Sequence, residues 1–322
     1  MSKTSKVGVL YNPNSRHGLS WFEKQSAQLQ GSHIFAIGTK DLDDLPEALQ
    51  AMAREGITHL AVIGGDGTLD AILTALRNHQ PFAHEPVIAL FDAGTTNMTF
   101  KDVGFKSRRR DPLREFVQGA AKNSLNVKKH RPLLIKSAAL NQPLYGFFMG
   151  MAAVPRAIHQ TRSKFHQKGL TNSLSEGATI LTSLTRLLRQ KNLETDPILS
   201  PVPIEINLDG HNKRSSATLL ALTSLRKLLV GIKPYHGSND GFSVMGIFHP
   251  CDGLFKKLPA LLYGTHELPL SPDNNLAATQ GHNCVLTFDG EWTLDGEMHQ
   301  TTSQTPLTIE QGAPITFAVG VA

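Results

Sequence analysis

The sequence predicts an α/β domain with a parallel sheet, followed by a mainly antiparallel β-sandwich domain. Three observations carry that prediction. Over the first 128 residues, apolar runs of five or six residues alternate with segments of helical spacing and short polar turns, as in a parallel sheet covered on both faces. From about residue 129, short β-type runs punctuated by Asp-Gly and similar turns take over, the texture of antiparallel domains. A length of 322 residues exceeds one small core and suits two domains. The expected division is 1–128 and 129–322, with a return of the last residues to the first domain left open.

In chain order, residues 6–11 (KVGVLY) form a strand stopped by the turn chemistry of Asn12-Pro13. Residues 20–29 are helical and 33–37 form a second strand; 45–54 have helical spacing, with Gly56 where a helix stop is expected. The strand at 59–63 (HLAVI) runs directly into Gly64-Gly65-Asp66-Gly67-Thr68, with a helix expected at 69–76. A fourth strand, 87–91, ends at Asp92-Ala93-Gly94-Thr95-Thr96-Asn97. In the second domain, strands are expected at 133–136, 144–148, 204–208, 218–223, 242–247, 284–288 and 315–319. One helical stretch interrupts them: Leu170, Leu174, Ala178, Leu181, Leu184 and Leu188 form an apolar stripe in a basic insertion at about 165–191. That stripe packs on the core or lies in a membrane interface.

Composition removes several classes. Hydrophobic residues are 40% and charged residues 18%, which is globular rather than disordered. No run of about 18 apolar residues is present, so a spanning helix is not expected. The start, MSKTSKVGVLYNP, has no signal-peptide core, and a cytoplasmic protein is expected. Cys251 and Cys284 are the two cysteines; they read as reduced thiols rather than a disulfide framework. The fourteen histidines form no metal-type pair, and P-loop and zincin motifs are absent. Charge is uneven: residues 106–191 hold 17 Lys and Arg against three acids, +14, and the remainder carries −9. So basic a segment attracts an anionic partner or is simply a solvated face. Aromatics are only 7% and do not interleave with the basic run, so an anionic membrane surface ranks above nucleic acid.

The chemistry is concentrated in three turns that follow strands of the first domain. Consecutive glycines at Gly64-Gly65 let the backbone approach a phosphate and turn its N–H groups inward. Asp66 can hold Mg²⁺ or a water on it, the Thr68 hydroxyl can donate to a phosphate oxygen, and the following helix presents its positive end. Alone, a glycine turn is weak evidence. Here it accompanies Asn12-Pro13-Asn14-Ser15 and Gly94-Thr95-Thr96-Asn97, all at the carboxyl ends of strands, where ligands of such sheets bind.

Asn12-Pro13-x-Ser15, Gly64-Gly65-Asp66-Gly67-Thr68 and Gly94-Thr95-x-Asn97 resemble the nucleotide-binding motifs of the diacylglycerol kinase catalytic-domain family, which includes sphingosine kinases. In the second half, Gly231–Pro234 with Asn239-Asp240-Gly241-Phe242, and Leu294-Asp295-Gly296-Glu297, resemble that family's later turns. The resemblance implies an α/β nucleotide domain before a β-sandwich, as read above. It implies an ATP- and Mg²⁺-dependent kinase acting on a lipid hydroxyl, diacylglycerol-like or related, peripheral on the inner membrane face. It also implies nucleotide contacts from the three turns and Thr39, and Glu297 as proton acceptor supported by Asp295 and Asp66. A second Mg²⁺ would be held by Asp240 with main-chain oxygens of Gly237 and Phe242; without the family, these turns read as ordinary hairpins.

The chain departs from the family pattern at Ala71, where Glu is usual, with Asp70 one place earlier, about 100° away on a helix. It departs also at Arg16, Asp92-Ala93 and Met98. Two alternatives stay open: a soluble kinase of the NAD-kinase kind, and a nucleotide- or lipid-binding protein without turnover.

Overall fold

The structure, a computed structural model, describes residues 5–15, 18–26, 34–93, 98–107, 109–166, 195–237, 240–250 and 254–322. The chain forms two compact units, Met1–Pro132 with Ala313–Ala322, and Leu133–Gly312.

The first unit is built on β1 (Val7–Tyr11), β2 (Ile34–Gly38), β3 (His59–Gly64), β4 (Val87–Asp92) and β5 (Leu125–His130), with the C-terminal strand β17 (Ile315–Val321) between β4 and β5. The order is β2-β1-β3-β4-β17-β5; all are parallel except β5. Its helices are α1 (Gly18–Ser26), α2 (Leu45–Arg54), α3 (Asp66–His79), α4 (Met98–Val103) and α5 (Pro112–Ala121). On one face Val7, Val9, Ala61, Ile63, Ala89 and Phe91 are buried under Leu113, Phe116 and Ala120 of α5 and, partly, Trp21 and Phe22 of α1. Phe91, Phe105 and Phe116 form a mutual ring cluster with centroids 5.5–5.9 Å apart. The chain leaves β1 toward β2 and returns on the other side to β3. The β1–β3 boundary is therefore the switch point at whose carboxyl end such sheets bind ligands.

The second unit is antiparallel. Its strands are β6 (Leu133–Lys136), β7 (Leu144–Gly146), β8 (Phe148–Ala152), β9 (Val202–Leu208), β10 (His211–Thr223), β11 (Phe242–His249), β12 (Leu276–Gly281), β13 (Asn283–Thr287), β14 (Gly290–Leu294), β15 (Glu297–Thr301) and β16 (Leu307–Gln311). The long β10, with a bulge between Ala217 and Leu219, pairs with β9 along one stretch, β8 along the next, and β11 opposite. It thus joins two halves of the sheet, whose apolar faces share one core. Ile206, Leu286 and Ile309 come from one half, and Met149, Leu222 and Trp292 from the other. Among the described residues the unit also holds the helices α6 (Ala153–His166) and α7 (Leu254–Tyr263).

The sequence reading did not include β5, β12, β14, β15, β16 or the helices α4, α5, α6 and α7, and three of the elements it named are altered. The helix expected at 69–76 begins at Asp66, with Gly65 as its N-cap, so three residues of the glycine motif are its first turn. The strand expected at 144–148 is broken at Phe147, whose N–H is turned toward Asp295. The run at 315–319 is β17 of the first sheet, because its apolar faces are covered from both sides there. The apolar stripe at 170–188, the Gly94-Thr95-Thr96-Asn97 turn, Arg16 and Asn239 lie outside the described residues.

Candidate functional site

At the β1–β3 switch point, the turn after β1 is fastened to the end of β3. Asn12 N–H donates to the Ile63 carbonyl at 3.1 Å, and its side-chain amide donates to Thr68 Oγ1 at 3.3 Å. Asn14 N–H donates to Asn12 Oδ1 at 2.8 Å, and Ser15 Oγ donates to the Asn12 carbonyl at 2.8 Å. Pro13 sits within this turn. Asn14 reaches the Lys40 carbonyl at 3.0 Å, and buried Thr39 donates its N–H to Tyr11 at 3.0 Å. A methyl group on Gly18 would lie 2.0 Å from the Asn12 carbonyl oxygen, so the glycine after this turn is sterically required. Five of the predicted residues, Asn12, Ser15, Gly64, Gly65 and Thr68, thus converge on one strand edge.

Gly64 is required as well: a Cβ would stand 2.7 Å from Thr68 Cβ. Gly65, Asp66 and Gly67 then open α3, a 14-residue helix whose first N–H groups lack intrahelical acceptors. With two glycines beside them, these donors and the helix dipole fit a phosphate. The adjoining crevice is lined by Gly64, Gly65, Asp66, Leu90, Phe91 and Phe100.

Asp66 is 9% exposed. Its carboxylate accepts the N–H of Met98 at 2.8 Å and of Thr99 at 3.0 Å, capping α4 across 32 residues of chain. Burial pushes the Asp66 carboxyl up, while these two N–H groups and the charge of Lys101 pull it back. Both oxygens face α4, so toward a metal Asp66 fits a water-mediated role better than direct ligation. Asp70 is buried one turn further along α3, and Ala71 is half-buried.

In the second unit, Asp295-Gly296 is the two-residue turn between β14 and β15, with φ of 45° and 97°, as a type I′ hairpin requires. Asp295, 7% exposed, accepts from Phe147 N–H at 2.5 Å and Phe148 N–H at 2.9 Å, and its own N–H donates to Phe148 at 2.8 Å. Gly146 permits this approach: its Cβ would fall 2.5 Å from Asp295 Oδ2. Gly146→Ala is expected to destabilise the unit by about 1–3 kcal/mol through overpacking, read as a lower Tm; an unchanged Tm would show that the turn yields. Glu297 opens β15 and is exposed. Two residues on, His299 stacks on buried Trp292 with centroids 4.4 Å apart. Burial lowers the His299 pKa and the charge of Glu297 opposes it. The sequence reading missed His299, although the period of two on a strand places it on the Glu297 face.

At the proposed second cation turn, Asp240 is exposed, Phe242 is fully buried at the start of β11, and Gly237 N–H donates to Gln280 Oε1 at 2.8 Å. The Gln280 amide reaches the Gly241 carbonyl at 3.5 Å. Among the described residues no group of three or more His, Cys, Asp or Glu could hold a metal. The donors here, one carboxylate with main-chain oxygens, fit Mg²⁺ only with water completing the shell.

A parallel sheet with a glycine-led helix N-terminus at its switch point is the arrangement in which α/β domains commonly bind phosphates. Residues 6–127 match the family model described as the diacylglycerol kinase catalytic domain. No curated protein matches the chain. Among solved structures, it is similar to a diacylglycerol kinase from Bacillus anthracis str. Sterne, at 17% identity and TM-score 0.59, covering 99% of this chain and 98% of that one. Two proteins of the same organism, provisionally designated diacylglycerol kinases, give 20% and 18% identity with TM-scores of 0.64 and 0.63. Each comparison covers 99% of this chain, and 99% and 98% of theirs. At these identities the likeness is one of fold.

Proposed function

We propose that the protein is an ATP-dependent kinase that transfers the γ-phosphoryl group to a hydroxyl of a lipid, diacylglycerol-like or related. The observation that carries this reading is the glycine-led N-terminus of α3 at the β1–β3 switch point, within the segment that matches the kinase family. Asn12, Ser15, Thr68, the N–H groups at Gly65–Gly67 and, in the family's pattern, Gly94, Thr95 and Asn97 would hold the nucleotide, with Thr39 behind them. Asp66 positions α4 in this reading. A Mg²⁺ ion neutralises donor phosphates in such reactions, and Asp240 with the Gly237 and Phe242 carbonyls is the proposed seat of a second, structural one.

In the transfer, a bond forms from the acceptor oxygen to the γ-phosphorus, the β–γ bridging bond breaks, and ADP leaves. Glu297 takes the proton of the acceptor hydroxyl, and Asp295, held by Phe147 and Phe148, fixes the turn that carries it. Ala71 does not remove any group assigned a role here. The lipid acceptor places the protein at the inner membrane face, and among the described residues no helix is long and apolar enough to cross a membrane.

ADP release, measured with diacylglycerol in mixed micelles and separately with NAD, tests the acceptor class. Release with micelles alone is expected; release with NAD alone would make it a soluble nucleotide kinase.

A further inference from the structure

The turn that carries Glu297 is held from inside the second unit by a chain of hydrogen bonds that starts at the end of β10. Thr223, the last residue of that strand, is fully buried and pairs with Phe148 of β8 and Ser243 of β11. Its hydroxyl accepts the N–H of Leu225 at 3.0 Å and donates to the carbonyl of Phe147 at 2.8 Å. That carbonyl belongs to the peptide group whose N–H, on Phe148, donates to Asp295 Oδ1 at 2.9 Å. Every donor therefore points the same way, from Leu225 through Thr223 and one peptide group to a carboxylate. Bonds aligned in this way polarise one another, and the charged acceptor at the end strengthens the chain. The strand break at Phe147 turns two N–H groups toward Asp295, and Thr223 is the side chain that fastens that break to β10.

We infer that Thr223 is a positioning residue for phosphoryl transfer: it holds Asp295, and through it the Asp295-Gly296 turn that presents Glu297. The inference rests on the kinase reading and on Glu297 as proton acceptor. Glu297 is exposed, so the backbone of the turn, rather than packing around the side chain, sets where its carboxylate stands. A general base works only within hydrogen-bond reach of its proton, and a displacement of about 1 Å can cost up to about 10²-fold in rate. Thr223 acts on that geometry only through Phe147, Phe148 and Asp295.

Two substitutions in the full chain separate the hydroxyl from the packing. Thr223→Val keeps the volume but removes the hydroxyl, leaving the Leu225 N–H without this acceptor; Thr223→Ser keeps the hydroxyl and removes a buried methyl group. Both should lower Tm, so turnover is read well below either melt. There Thr223→Val is expected to lower kcat by about 10-fold, with the KM for ATP within about twofold of wild type. Thr223→Ser should turn over like wild type. The amide proton of Phe148, followed by NMR in isotope-labelled protein, is a readout independent of turnover. Its signal is expected to move upfield in Thr223→Val, as a weakened bond to the carboxylate requires, and to stay in place in Thr223→Ser. Should the valine variant fail to fold, Thr223→Cys, with only a weak S–H donor, takes its place with the same expected directions. Wild-type kcat in a folded Thr223→Val, equal kcat losses in the valine and serine variants, or an unmoved Phe148 signal in Thr223→Val would each overturn the inference. A wild type that transfers no phosphoryl group would remove the kinase reading, and the Phe148 signal would then decide by itself whether Thr223 holds Asp295.

Discussion

Asp66→Ala is expected to lower the unfolding free energy by about 2–4 kcal/mol, because it strips a buried helix N-terminus of both its acceptors. The Met98 and Thr99 N–H groups, at 2.8 and 3.0 Å from the carboxylate, would be left unsatisfied where water cannot reach them. Asp66→Asn keeps one acceptor oxygen and should lose about half as much. Its pH dependence has a definite sign. Burial raises the folded-state carboxyl above its ordinary value, so the contribution of Asp66 is fully present below the unfolded-state pKa and declines as pH rises through the folded one. The Asn penalty should accordingly be larger in acid than at neutral pH, as read by denaturant melts at several pH values. An Ala variant as stable as wild type would show that α4 is held by something else. The glycine-aspartate motif, read from sequence as a phosphate and metal loop, is in this structure also a strut.

Glu297→Gln is expected to reduce kcat by about 10²–10⁴-fold with the KM for ATP nearly unchanged, the contribution of a general base. Glutamine keeps the size and hydrogen bonding of the exposed side chain, so Tm should not move. Asp295→Asn should act differently. Its carboxylate accepts two main-chain N–H groups, so the amide lowers Tm before it lowers turnover. A large kcat loss at unchanged Tm in Asp295→Asn, with Glu297→Gln fully active, would exchange the two assignments.

The first unit was largely legible because parallel strands buried on both faces are continuous apolar runs. HLAVI is β3 almost to the residue, and the helix at 45–54 coincides with α2. What escaped was the register of the motif. Glycine is a poor helix former, so Gly64-Gly65-Asp66-Gly67 reads as loop, yet α3 starts inside it because Gly65 serves as N-cap. The second unit was harder. Strands such as EMHQT, which is largely polar, and LAATQG, which carries Thr and Gln along an almost wholly buried run, give little periodic signal. The capping of α4 by Asp66, the Asp295 bonds to Phe147 and Phe148, and the His299–Trp292 stack join residues distant in sequence or across a ladder. No local pattern announces such pairings.

The most direct measurement follows the phosphorus itself. Wild-type protein is incubated with a lipid extract and ATP carrying label at the γ-phosphorus, in parallel with ATP labelled at the α-phosphorus, and the organic phase is resolved for labelled lipid. The account predicts γ-label in a phosphorylated lipid, none from the α position, and loss of that product in Glu297→Gln. Nucleotide binding with no label in any lipid, or γ-label recovered only in a water-soluble acceptor, would contradict it.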